Sequence, residues 1–247
     1  MTVESRTGAT LFHVSGLSKS FGRFPALSDV SFSVRAGEVL GLIGPNGAGK
    51  TTLFECLAGV LPSDAGALFH HERPVGLHDR ASLLFYLPDG IAPWPAQSVR
   101  WALDFAIGFF GGPANRRDDV IRELDLAPLL DSAIGTLSKG QRKRALLGVG
   151  LLTPHPILLA DEPFDGLDLR QTREIARVLR SHAAAGRTLF LSIHQITDAA
   201  RVCDRFVLLS SGQVRGEGTL AQLTARATAS ERTASPTDLE ELFLALT

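Results

Sequence analysis

One octapeptide limits the architectures open to this chain more than any other feature: Gly44-Pro45-Asn46-Gly47-Ala48-Gly49-Lys50-Thr51, followed by Thr52. An apolar run, Glu38 to Ile43, precedes it, and a helical one, Lys50 to Leu57, follows until Gly59 and Pro62 stop it. Strand, glycine-rich turn and helix in that order form a phosphate-binding loop. Glycines let successive backbone N–H groups curl around an anion, and the helix N-terminus adds partial positive charge. In such a loop Lys50 reaches the β- and γ-phosphates of a nucleotide, and the Thr51 hydroxyl meets Mg²⁺.

The surrounding pattern is that of an α/β protein. Short apolar alternations, Leu11 to Leu17 and Val30 to Val34, precede the loop, and strand-like runs follow at Ala67 to Phe69 and Leu83 to Leu87. From Pro93 to Leu151 strand signals vanish and three helical segments take over: Ser98 to Phe110, Arg116 to Leu126 and Ser138 to Leu151. This stretch, 93–151, reads as a helical insertion. Strands return at Ile157 to Ala160, Thr188 to Ile193 and Arg205 to Leu209. Between the first two, a helix aligns Ile175, Val178, Leu179 and His182 on one face and is capped by Gly186. Strand and helix in alternation imply a mostly parallel sheet. The tail, 220–247, holds a polar stretch from Ala225 to Thr237 and a helix from Asp238 to Leu246.

Two further segments carry chemistry. The strand Ile157 to Ala160 runs into Asp161-Glu162, two carboxylates at a strand end. Asp161 offers an oxygen ligand suited to Mg²⁺, and Glu162 is one residue on, able to orient or deprotonate a water opposite a γ-phosphate. Ser138 opens a helix with Gly140 and Gln141 in its first turn, a second set of free N–H groups separate from the phosphate loop.

Bulk properties exclude several other roles. At 247 residues with 45% hydrophobic and 21% charged content, one soluble domain is expected. A net charge of −1 leaves no basic excess for nucleic acid. The longest apolar run, Trp101 to Phe110, is broken by Asp104 and is too short to span a bilayer, and Met1 to Thr10 lacks the pattern of a secretion signal. The chain is therefore expected in the cytoplasm. Cys56 and Cys203 read as buried small hydrophobes, and His70-His71 as a solvated turn.

The phosphate loop, Leu137-Ser138-Lys139-Gly140-Gln141, Asp161-Glu162-Pro163, Gly166-Leu167-Asp168 and His194 occur in one order along the chain. That combination resembles the ABC-type ATPases, the nucleotide-binding subunits of transporters, from about Leu11 to Thr247. The resemblance implies a P-loop NTPase fold with a mostly parallel central sheet, N-terminal antiparallel strands and an inserted helical subdomain. It implies that Phe21 stacks on adenine, that His194 contacts the γ-phosphate, and that Asp168 communicates across a dimer. Ser138 and Gly140 would bind the γ-phosphate held by the opposite subunit, so that ATP joins two copies face to face. Three positions depart from the family pattern. Asp89 stands where a glutamine meets Mg²⁺, leaving an aspartate as a candidate metal ligand. Lys139 replaces a glycine and opposes the helix dipole by roughly 0.3–1 kcal/mol. Phe164 replaces a small polar residue.

An ATP-hydrolysing subunit that powers a separate membrane permease is the function this implies. The ending Asp238 to Thr247 is similar to endings of drug- and antibiotic-exporter ATPases, which points to export. The alternative is a soluble ATPase of the same family acting on a macromolecular complex; the fused second copy or long coiled coil of such relatives is not seen in the sequence. The apolar segment Ile91-Ala92-Pro93-Trp94-Pro95 fits either a permease contact or a loop packed on the helical insertion.

Overall fold

The computed structural model describes residues 9–112 and 114–229. The expected helix from Asp238 to Leu246 lies outside the described residues. A four-stranded sheet comprises β1 (Thr10–Phe21), β2 (Phe24–Arg35), β4 (Ala65–His70) and β5 (Arg73–Pro74), in the order β2-β1-β4-β5 and antiparallel throughout. A six-stranded sheet has the order β10-β9-β3-β8-β7-β6. It is built from β3 (Val39–Ile43), β6 (Leu84–Leu87), β7 (Ile157–Asp161), β8 (Thr188–Ser192), β9 (Arg205–Ser210) and β10 (Gln213–Gly218). All of its neighbours run parallel except β10 against β9. The helices are α1 (Lys50–Ala58), α2 (Arg80–Leu83), α3 (Val99–Phe110), α4 (Arg117–Glu123), α5 (Lys139–Leu152), α6 (Leu169–Ala184), α7 (Ile196–Val202) and α8 (Leu220–Ala229).

Strand composition follows from how many faces each strand buries. In β2, Val30, Phe32 and Val34 are buried while Ser31 is exposed, the alternation of a strand with one dry face. Every residue of β3, β7 and β8 is buried, because both faces of that sheet are covered. Alternate residues feed two cores. Leu40, Leu42, Leu159 and Phe190 face the antiparallel sheet and α1. Val39, Ile43, Leu158, Leu189 and Leu191 face α3, α5 and α6. At the centre of the first core, Phe190 meets Phe54 edge-on at 4.9 Å and Phe32 at 5.4 Å.

Among the described residues between β6 and β7 no strand forms, apart from one isolated bridge, Ser98 to Ala133. Ser98 caps α3 by accepting from Trp101 N. The far end of α5 is held to the sheet by Arg187. Its guanidinium donates to the Leu151 and Gly150 carbonyls, each at 2.8 Å, and to Thr153 Oγ1 at 2.9 Å. These are carbonyls that a helix leaves unpaired at its C-terminus. Burial pulls the Arg187 pKa down to about 10.

Several boundaries differ from the sequence reading. The segment Arg116 to Leu126 is α-helical only over Arg117–Glu123, entered through a 3-10 turn that ends at Arg116 and followed by Asp125, which turns out of the helix at φ 49°. Leu83 belongs to α2, not to the following strand. Ala225 to Ala229, read as the start of a polar tail, continues α8. β10 and α7 carry too few apolar residues in period to announce themselves, and both are held by neighbours. Phe164 is buried in the helical-side core, Cys56 and Cys203 are buried free thiols, and His71 sits in the turn after β4 at φ 45°.

Phe190→Ala removes the ring shared by Phe32 and Phe54. We expect a loss of about 3–5 kcal/mol of stability, read as a lowered denaturation midpoint with secondary structure retained.

Candidate nucleotide site

The loop between β3 and α1 is shaped by glycine where side chains do not fit. Gly49 takes φ 102°, and a Cβ there would lie 2.6 Å from the Ala26 carbonyl oxygen. Lys50, buried, sends its ammonium back into the loop and donates to the Gly44 carbonyl at 2.8 Å and the Pro45 carbonyl at 3.3 Å. The ammonium is thus held inside the ring of backbone groups that would receive an anion.

Opposite lie the ends of β7 and β8. Asp161 pairs in register with Ser192, whose hydroxyl donates to Asp161 Oδ1. The other carboxylate oxygen, Oδ2, accepts from Thr51 Oγ1 at 2.8 Å. Ser192 Oγ also accepts from Glu162 N at 3.0 Å. Glu162 itself is at φ 50°, an uncommon conformation for a residue with a Cβ and of the kind that gathers at working sites. That turn brings its carboxylate to 3.9 Å from Lys50 Nζ and lets His194 Nδ1 donate to Oε2 at 2.6 Å.

Lys50, Thr51, Asp161 and Glu162 line a cleft of about 440 Å³ whose wall also includes Phe21, Phe24, Ala26, Pro45, Asn46, Gly47, Ala48, Gly49, Thr52 and Asp89; His194 reaches it only through its bond to Glu162. Phe21 and Phe24 are a cross-strand pair around the two-residue turn Gly22-Arg23, with Gly22 at φ 61°. Both rings are largely exposed, at 51% and 64%, a costly placement for phenylalanine unless a flat ligand covers them. The sequence reading found Phe21 and missed Phe24. The signal was available: a two-residue hairpin turn sets the residues on either side of it opposite one another.

Oxygen ligands for a hard cation are present as a pair, the Thr51 hydroxyl and the Asp161 carboxylate. Among the described residues no cluster of three His, Cys, Asp or Glu side chains could hold a metal alone. This donor set fits Mg²⁺ that arrives with a nucleotide, since that ion takes one or two protein ligands and completes its shell with phosphate and water. Asp89 is engaged elsewhere, 2.7 Å from Lys143 Nζ.

The remaining sequence candidates do not line this cleft. Ser138 caps α5 and accepts from Gln141 N at 3.3 Å, while the Gln141 side chain accepts from Ser138 N at 3.0 Å. Asp168 and Gln171 form the same reciprocal box at the start of α6. A Cβ on Gly140 would stand 2.5 Å from the Gly166 carbonyl oxygen, so the two loops press together at this point. Lys139, which opposes the α5 dipole, is ion-paired with Asp165, and that hydrogen bond raises its pKa. The sequence reading named Lys139 but not the partner that offsets it.

Two helical glycines give opposite expectations. Gly140→Ala forces backbone apart and should cost about 1–3 kcal/mol. Gly108→Ala in α3 meets nothing within 4 Å and should stabilise by about 0.5–1 kcal/mol. Denaturation midpoints of the two variants check both signs.

Residues 27–165 match the ABC transporter family. The hemin import ATP-binding protein HmuV of Thermobifida fusca is 32% identical over 236 residues, 88% of this chain and 80% of that protein. The lipopolysaccharide export system ATP-binding protein LptB of Acidithiobacillus ferridurans is 33% identical, over 84% of this chain and 90% of that one. Among solved structures, an ATP-binding subunit of an ABC transporter superposes with a TM-score of 0.85 at 28% identity, covering 96% of this chain and 99% of its own.

Proposed function

This chain belongs to the ABC transporter family as an ATP-binding, ATP-hydrolysing subunit, and from that membership we propose that the cleft between the Gly44–Thr51 loop and the Asp161–Glu162 strand end is where it hydrolyses ATP. The observation that carries this reading is Glu162, which lines the same cleft as Lys50 and Thr51 and is bonded to His194 at 2.6 Å. The backbone N–H groups from Gly44 to Thr52 bind the phosphates, and Lys50 turns from the loop carbonyls to the β- and γ-phosphates. Phe21 and Phe24 stack on the adenine. Thr51 and Asp161 hold Mg²⁺, which neutralises charge on the phosphates when bound. Glu162 takes the proton of the attacking water, oriented by His194, which also faces the γ-phosphate.

Ser138, Gly140, Gln141 and Asp168 complete the site from a second copy or a related subunit. Their position outside the cleft of their own chain supports this role. ATP then lies at the seam of two protomers, each contributing its α5 N-terminus. Residues 93–151 act as the helical subdomain and 220–247 as the tail of a single ATPase domain. The work drives a separate membrane permease, from the cytoplasmic face of the membrane. No described helix is long and apolar enough to cross one. The relatives include both an import and an export protein, so their names carry no direction; the ending Asp238 to Thr247 favours export.

Lys50→Ala should abolish Mg²⁺-dependent phosphate release, and undiminished turnover would remove the phosphate-loop assignment. Glu162→Gln should slow hydrolysis at least about a hundredfold, yet still bind ATP and elute as a dimer from a sizing column. A monomer at saturating ATP would overturn the shared-site arrangement.

A further inference from the structure

Lys143 lies one helical turn beyond Lys139 on α5, and its side chain is only 11% exposed. An ammonium withdrawn this far from water needs partners to offset its desolvation. It has two. Nζ donates to the Asp161 backbone carbonyl at 2.8 Å and lies 2.7 Å from Asp89 Oδ1. A single cation thus joins three segments: α5, the end of β7 that bears the Thr51-bound carboxylate, and the loop after β6. Asp89 and Lys143 also line the narrow seam where that loop meets α5.

The charge balance of the cleft gives this contact a role. Asp89 is on the wall of a site read as receiving a triphosphate, and a bare carboxylate there would repel it. Burial pushes the Asp89 pKa up, but the hydrogen bond and charge of Lys143 more than reverse this, leaving it below the usual carboxylate range. We propose that Lys143 and Asp89 form a positioning pair for the ATPase site, in which Lys143 braces the end of β7 and Asp89 is its counterion, not a ligand to the nucleotide's cation. The pair also links the cleft wall to the helix that begins at Ser138. This rests on the proposed nucleotide cleft.

The test is equilibrium binding of a fluorescent ATP analogue, titrated with Mg²⁺, for the wild type, Asp89→Asn, Lys143→Met, the double variant and Lys50→Ala, with thermal melts to establish folding. Lys143→Met leaves Asp89 uncompensated and should weaken nucleotide binding about tenfold, whereas the double variant should regain most of that loss because the pair is coupled. Asp89→Asn alone should shift the Mg²⁺ half-saturation by less than about twofold. A large rise in the Mg²⁺ requirement of Asp89→Asn, or a double variant that binds as weakly as Lys143→Met, would overturn the pair. Should Lys143→Met not fold, Lys143→Gln with and without Asp89→Asn carries the same comparison. Wild-type affinity in Lys50→Ala would instead discard the cleft reading itself.

Discussion

Three parallel strands, β3, β8 and β7, end level with one another, and the site depends on that alignment. Leu42 pairs with Ser192 and Ser192 with Asp161, so the phosphate loop leaves one strand beside the two carboxylates leaving another. Ser192 stands between them and bonds to both Asp161 and the Glu162 backbone. Ligands of open α/β sheets gather at the carboxyl ends of strands for this reason. The Thr51–Asp161 bond then closes a contact between segments 110 positions apart.

The second half of the arrangement is the fixing of α5. Its first turn abuts Gly166 and pairs with Asp165, its middle is held through Lys143, and its last carbonyls are bound by Arg187. Another link crosses from α4 to α6, where buried His182 meets Glu123 at 3.0 Å. Burial lowers the His182 pKa despite that carboxylate, so the contact is chiefly a hydrogen bond near neutral pH. Anchoring of this kind fixes where a helix end points, because an end shifted by one ångström aims its free N–H groups elsewhere.

Charge deep in the antiparallel side follows the same rule of pairing. Arg205, nearly inaccessible, bridges Glu38 at 3.0 Å and also pairs with Glu217, tying β9, the turn before β3 and β10 together. Breaking one member would leave an uncompensated charge, which costs more than the pair contributes. The pair also accounts for how β10, weak in apolar pattern, is kept on the sheet.

Much of the site was legible from residues alone because its chemistry is local. A phosphate loop needs its glycines, lysine and threonine adjacent, a catalytic strand end needs two neighbouring carboxylates, and a helix cap needs serine just before its helix. Chain-local rules also placed β3, α1, α3, α5, β7 and β8 to within a residue or two. What spacing could not show were contacts between distant segments: Ser192 against Asp161 and Glu162, Asp165 against Lys139, and Lys143 against Asp89. Sequence determined where the glycine-rich loop and its lysine fall, since eight consecutive positions carry that pattern. Tertiary structure alone decided which charges neutralise one another and which partner each carboxylate of the cleft receives, since Coulomb energy depends on separation in space and not along the chain.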